Sequence, residues 1–145
     1  MNSFKYFAYG SNLSLYRLVC SCPSAKKFCN GQLSGYKLSF GRFSKGWNGG
    51  VASIEESISD RVCGVIWDIP DTELPALDLQ EDLGGSQPYN DPSPQYLEAI
   101  VDGAITNELD NEYLQKLKDT KTNGNTEITK LMLKVADLKE KMHPG

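Results

Sequence analysis

The opening run Lys5-Tyr6-Phe7-Ala8-Tyr9 is short and mostly apolar, and it stops at Gly10-Ser11-Asn12. That pattern predicts a strand running into a turn. Leu13, Tyr16, Leu18 and Val19 then fall on one face of a short helix, with Ser14 and Arg17 outside. The helix stops at Ser21-Cys22-Pro23-Ser24, because Pro23 cannot continue it and restrains its predecessor. Partial alternation of Leu33, Tyr36, Leu38 and Phe40 predicts a strand over 31–41 with a glycine-marked irregularity. Residues 41–50 are glycine-rich with Phe43 and Trp47 embedded, the composition of a loop that lines a site. Val51 to Glu55 and Val62 to Asp68 are two further strands, and the short polar link from Glu56 to Arg61 suits a hairpin.

The second half of the chain changes period. Pro70 to Asp78 opens a helix with acidic residues near its first turn, where they favour the dipole. Residues 82–94 show no periodicity and read as a loop. Beyond Pro94, Tyr96, Ile100, Val101 and Ala104 recur at helical spacing and Ile105 extends the face. Leu109, Tyr113, Leu114 and Leu117 mark a second helix. Thr126-Glu127 starts a last amphipathic one through Ile128, Leu131, Met132, Val135 and Leu138, ending near 141. Its lysine-rich outer face is a solvated surface. Strands first and helices second predict a single α+β domain over 1–145.

Composition narrows the function classes. Lys plus Arg number 15 against 19 Asp plus Glu, for a net charge of −4 and a pI near 5.0. That balance gives no electrostatic reason to bind nucleic acid or an anionic membrane. No apolar run is long enough for a membrane-spanning helix. Lys5 interrupts what would be a signal-peptide core, so a cytoplasmic protein is expected. Cys20, Cys22, Cys29 and Cys63 lack the paired spacing of a zinc site and are expected as free thiols, with no metal bound. The single histidine, His143, lies near the C-terminus, which disfavours a histidine-based dyad or triad. Carboxylates remain as the proton carriers.

A strand that delivers a turn to a helix N-terminus gathers backbone N–H groups, and Gly10 lets the backbone come close to a ligand. An ordinary strand end is the alternative reading. Four features bear on the choice: Tyr9-Gly10-Ser11-Asn12, Trp47-Asn48-Gly49-Gly50, Leu77-Asp78-x-Gln80-Glu81 and Pro92-Ser93-Pro94-Gln95-Tyr96. In this order, with Tyr36-Lys37-Leu38-x-Phe40-Gly41, Gly64-Val65-x-Trp67 and Glu112-Tyr113-x-x-Lys116-Leu117, they resemble the gamma-glutamylcyclotransferase family over most of residues 4–118.

The resemblance implies a mixed sheet, partly closed into a barrel, with flanking helices. It implies a cofactor-free reaction in which a γ-glutamyl amino acid or amide becomes 5-oxoproline and a free amine. Carried over by motif, Glu81 is the general acid and base. Tyr9, Gly10, Ser11, Asn12 and Leu13 hold the glutamyl part, and Tyr96 is either a substrate contact or a core anchor of its helix. Trp47 and Trp67 are expected to pack. One departure stands out: between Glu81 and Pro92 the family has two more strands, where this chain has only a Gly/Pro/Asn-rich stretch. A missing hairpin exposes sheet edges that favour pairing with a second copy, as in a homodimer. It also opens the alternative of a non-catalytic relative that binds a ligand or partner.

Overall fold

The computed structural model describes residues 2–75 and 89–142. Three strands, β1 (Ser3–Ala8), β2 (Lys26–Ser44) and β3 (Gly49–Pro70), form an antiparallel sheet in the order β1-β3-β2. The C-terminal half of β3 lies between β1, with Phe4 opposite Ile69 and Ala8 opposite Val65, and the first half of β2. Val65, Trp67 and Ile69 are buried and Ile66 and Asp68 half-buried, the two-residue period of a strand with one face on the core.

The hairpin expected at 56–61 does not form. β3 runs through that stretch, β2 follows it along nearly its whole length, and the chain reverses at 45–48 instead. Ser34 pairs with Arg61 and Tyr36 with Glu56, so four residues of β3 sit opposite Gly35 alone. These residues bow out of the ladder, with Ile58 fully exposed, the Ser57 hydroxyl donating to the Asp60 carboxylate, and Gly35 at a φ of 86°. A polar break in an apolar pattern signals a bulge and a hairpin alike, and only the register separates them. The glycine-marked irregularity is this bulge, in a strand longer than the expected 31–41. The loop expected over 41–50 shrinks correspondingly.

After β1 comes a 3-10 turn (Ser11–Leu13), then α1 (Leu15–Leu18), shorter than expected because Ser14 adopts extended backbone between the two. A second 3-10 turn (Asp71–Glu73) follows Pro70. Residues 76–88, which include the rest of the expected helix to Asp78, Glu81 and most of the interval where the resemblance implies two more strands, lie outside the described residues. The next helix, α2 (Pro94–Thr106), has Pro94 at its first position, and the Ser93 hydroxyl accepts the Tyr96 N–H at 3.2 Å. Tyr96, Leu97, Ile100 and Ala104 are buried, but Ile105 is 51% exposed: the apolar face ends one residue earlier than the pattern implied. In α3 (Asn111–Lys118), Asp110 caps by accepting the Tyr113 N–H, and Tyr113 and Leu117 point inward.

The last helix, α4 (Lys130–Met142), starts later than the expected 126. The side chains of Asn123 and Asn125 accept the backbone N–H groups of Asn125 and Glu127, which holds this stretch in turns. Thr129 then caps by accepting the Met132 N–H, and its hydroxyl donates to the Gly46 carbonyl in the β2–β3 turn. Leu13, Leu18, Trp67, Ile69, Ile100, Tyr113 and Met132 share one hydrophobic core cluster. Full burial of such a side chain contributes about 1.5–3 kcal/mol. Exposed ion pairs such as Lys5–Asp68 at 3.3 Å contribute far less, so the core carries the fold. No helix among the described residues is long and apolar enough to cross a membrane.

Candidate substrate turn and its supports

β1 ends at Ala8, and the chain enters the turn through Tyr9 and Gly10. The Leu13 N–H donates to the Gly10 carbonyl and the Ser14 N–H to the Ser11 carbonyl, both at 3.0 Å. Across a trans peptide the N–H points opposite to the C=O. Turning these two carbonyls inward therefore directs the N–H groups of Ser11 and Asn12 the other way. Neither the Gly10 nor the Ser11 N–H enters a backbone hydrogen bond among the described residues. Residues 9–13 carry no charged side chain, so the attraction this turn offers an anion or a carbonyl oxygen comes from backbone dipoles.

Side chains from three other elements brace it. The Trp67 indole N–H donates to the Asn12 carbonyl at 3.0 Å, and the Asn107 carboxamide donates to the Leu13 carbonyl at 3.1 Å. The Asn12 carboxamide donates to the Tyr6 hydroxyl at 3.1 Å, so it holds the turn against β1. Ser11, Asn12 and Leu13 are all buried.

Tyr96 reaches the same place from the first turn of α2. Its hydroxyl accepts the Ala52 N–H at 2.8 Å, and its ring meets Trp47 and Phe40 edge-on at centroid distances of 5.2 and 6.3 Å. A Cβ at Gly10 would lie 2.8 Å from the Ala52 Cβ and 3.0 Å from the Tyr96 hydroxyl, a space only glycine leaves open. Tyr96 is thus a buried anchor whose hydroxyl sits beside the turn. The structure brings Tyr9 to Leu13 and Tyr96 together; Glu81 lies outside the described residues.

Sequence reading missed two of the supports. Trp67 packs as expected, but its indole N–H also fixes the turn. Asn107 showed no local signal at all, being one polar residue after a helix.

A hollow of about 250 Å³ lies along Asn30, Gln32, Arg61, Cys63, Leu109 and Asp110. It includes neither the turn nor Tyr96. Its donors are already engaged: the Arg61 guanidinium donates to Gln32 at 3.0 Å, to the Cys63 sulfur at 3.3 Å and to Asp110 at 2.7 Å. Burial pushes the Cys63 thiol up, as it does Cys22, which makes neither an activated nucleophile. Burial likewise pushes the neighbouring Tyr113 phenol up to about 12. Among the described residues no group of three His, Cys, Asp or Glu side chains could hold a metal ion.

No family model matches the chain. Human gamma-glutamylcyclotransferase is 36% identical over 154 residues, covering 86% of this chain and 82% of the human protein. The mouse gamma-glutamylcyclotransferase is 34% identical over 151 residues, covering 83% and 80%. The human stretch that matches is longer than this entire chain of 145 residues, so it contains residues with no counterpart here. A solved gamma-glutamyl cyclotransferase shares the fold with a TM-score of 0.87 at 33% identity, covering 97% of this chain and 99% of that one. Identity above a third with the human protein, over most of both chains, together with this shared α+β architecture, means that the chain belongs to the gamma-glutamylcyclotransferase family.

Proposed function

We propose that the protein converts γ-glutamyl amino acids, or related γ-glutamyl amides, into 5-oxoproline and a free amine, in the cytoplasm and without a cofactor. The observation that carries this reading is the turn itself, with the Ser11 and Asn12 N–H groups directed away from its own carbonyls and Gly10 beside the buried Tyr96 hydroxyl. In the reaction the substrate's α-amine attacks its own γ-carbonyl. The new C–N bond closes a five-membered ring and the amide bond to the leaving amine breaks. Because the nucleophile is tethered to its target, the protein's task is orientation and one proton carrier. Glu81, assigned by motif, would take the proton from the α-ammonium and return it to the leaving amine. The turn from Gly10 to Leu13 would hold the glutamyl part over Tyr9 through the backbone N–H groups that face away from its own carbonyls, and donors near the γ-carbonyl would stabilise its developing negative charge.

Purified protein given a γ-glutamyl amino acid is expected to release 5-oxoproline. Glu81→Gln should reduce that release by at least about a hundredfold, the scale of a positioned acid–base group, with the fold intact. Equal rates for the two proteins would contradict the role of Glu81. The residues present in the human relative and absent here favour a second reading, a binding module without turnover. Saturable binding of a γ-glutamyl ligand with no product would support that reading instead.

A further inference from the structure

The two halves of the candidate site hang on opposite ends of one helix. Tyr96 leaves the first turn of α2, and Asn107 caps its last. With 13 residues, α2 is a rigid rod about 20 Å long. Asn107 is buried and heavily committed. Its Nδ2 donates to the Leu13 carbonyl at 3.1 Å and to the Gly103 carbonyl at 2.8 Å. Its own carbonyl accepts from the Asn30 carboxamide at 2.9 Å. No backbone N–H reaches the Leu13 carbonyl among the described residues, so Asn107 is its partner. The helix and the turn also touch directly: a Cβ on Gly103 would lie 2.5 Å from the Leu13 carbonyl carbon and 2.6 Å from the Ser14 nitrogen.

We infer that Asn107 is a positioning residue for the substrate turn. Its carboxamide fixes the last carbonyl of the turn against the C-terminal end of α2. The angle at which the Gly10–Leu13 turn faces a ligand is thereby set by the same rod that sets the Tyr96 hydroxyl. Asn107 touches no substrate; it acts through Leu13. The argument for the geometry stands by itself, while its consequence for substrate rests on the turn being the cradle.

Asn107→Asp keeps the shape but replaces the shared donor with a carboxylate facing two carbonyls. Asn107→Ala removes the donor without adding charge and serves if the first variant does not fold. Leu117→Ala, a core truncation in α3, is the control for general loss of stability. The first readout is amide hydrogen exchange. In the Asn107 variants, the Leu13 and Ser14 amides, which close the turn on the Gly10 and Ser11 carbonyls, should exchange at least about tenfold faster relative to Val65 in β3. In Leu117→Ala the two regions should change together. The second readout is the KM for a γ-glutamyl amino acid, expected to rise about fivefold or more with kcat within about twofold. Unchanged exchange at Leu13 and Ser14 overturns the inference, and so does a normal KM in a folded, active variant. If the wild type releases no 5-oxoproline, the proposed reaction fails, yet the exchange readout still decides whether Asn107 holds the turn.

Discussion

The Gly10–Leu13 turn and the hollow around Arg61 are both rich in polar groups, and they use their hydrogen-bond donors in opposite ways. At the turn, Trp67, Asn107 and Asn12 direct their side-chain donors to carbonyls or a hydroxyl of the fold, and the backbone N–H groups of Ser11 and Asn12 face away from the turn's own carbonyls. Around Arg61, the guanidinium is consumed by Gln32, Cys63 and Asp110, all part of the wall. What distinguishes the turn is that side chains from distant elements bind the carbonyls of Asn12 and Leu13.

The largest expected disturbance of this contrast is Gly103→Ala. The added methyl meets backbone rather than a movable side-chain tip, so the turn and α2 must separate. Overpacking of this kind costs about 1–3 kcal/mol. Thermal unfolding should show the loss, and 5-oxoproline release should fall along with it. A variant with wild-type stability would mean that the contact between α2 and the turn is loose.

Trp67→Phe should act more narrowly. It keeps most of the packing but leaves the buried Asn12 carbonyl without its indole donor, at a cost of about 1–3 kcal/mol. The expected kinetic result is a raised KM, measured with the variant fully folded. An unchanged KM would place Trp67 in the core alone.

The smallest effect belongs to the Arg61 hollow. The Tyr113 N–H and then the Arg61 guanidinium hold the Asp110 carboxyl below its usual range. A lowered folded-state pKa means that the stabilisation is present above about pH 4 and is lost as pH falls through the folded value. Asp110→Asn should therefore make the acid limb of stability against pH shallower while leaving turnover at neutral pH unchanged. Loss of turnover would show that this hollow takes part in the reaction.

How much of this was legible in the sequence depends on the range of the interaction. The turn was legible, because an apolar run broken by Gly10-Ser11-Asn12 is a local signal. So was α2, from the helical spacing of Tyr96, Ile100 and Ala104 beyond Pro94. The unbroken β3 was not, since the polar stretch at 57–60 looks the same whether the chain reverses or bulges. The late start of α4 depended on which backbone groups the side chains of Asn123 and Asn125 would take. Asn107 and the indole N–H of Trp67 reach partners 94 and 55 residues away, distances at which local patterning carries no information.

The most direct test of the central claim is a titration of the 15N-labelled protein with a γ-glutamyl amino acid, followed through the backbone amide resonances. The account predicts saturable shifts of the Gly10, Ser11 and Asn12 amides, which line the proposed cradle, with little change at Gln32, Arg61 and Cys63. Shifts confined to the Arg61 hollow, with the turn unmoved, would contradict it.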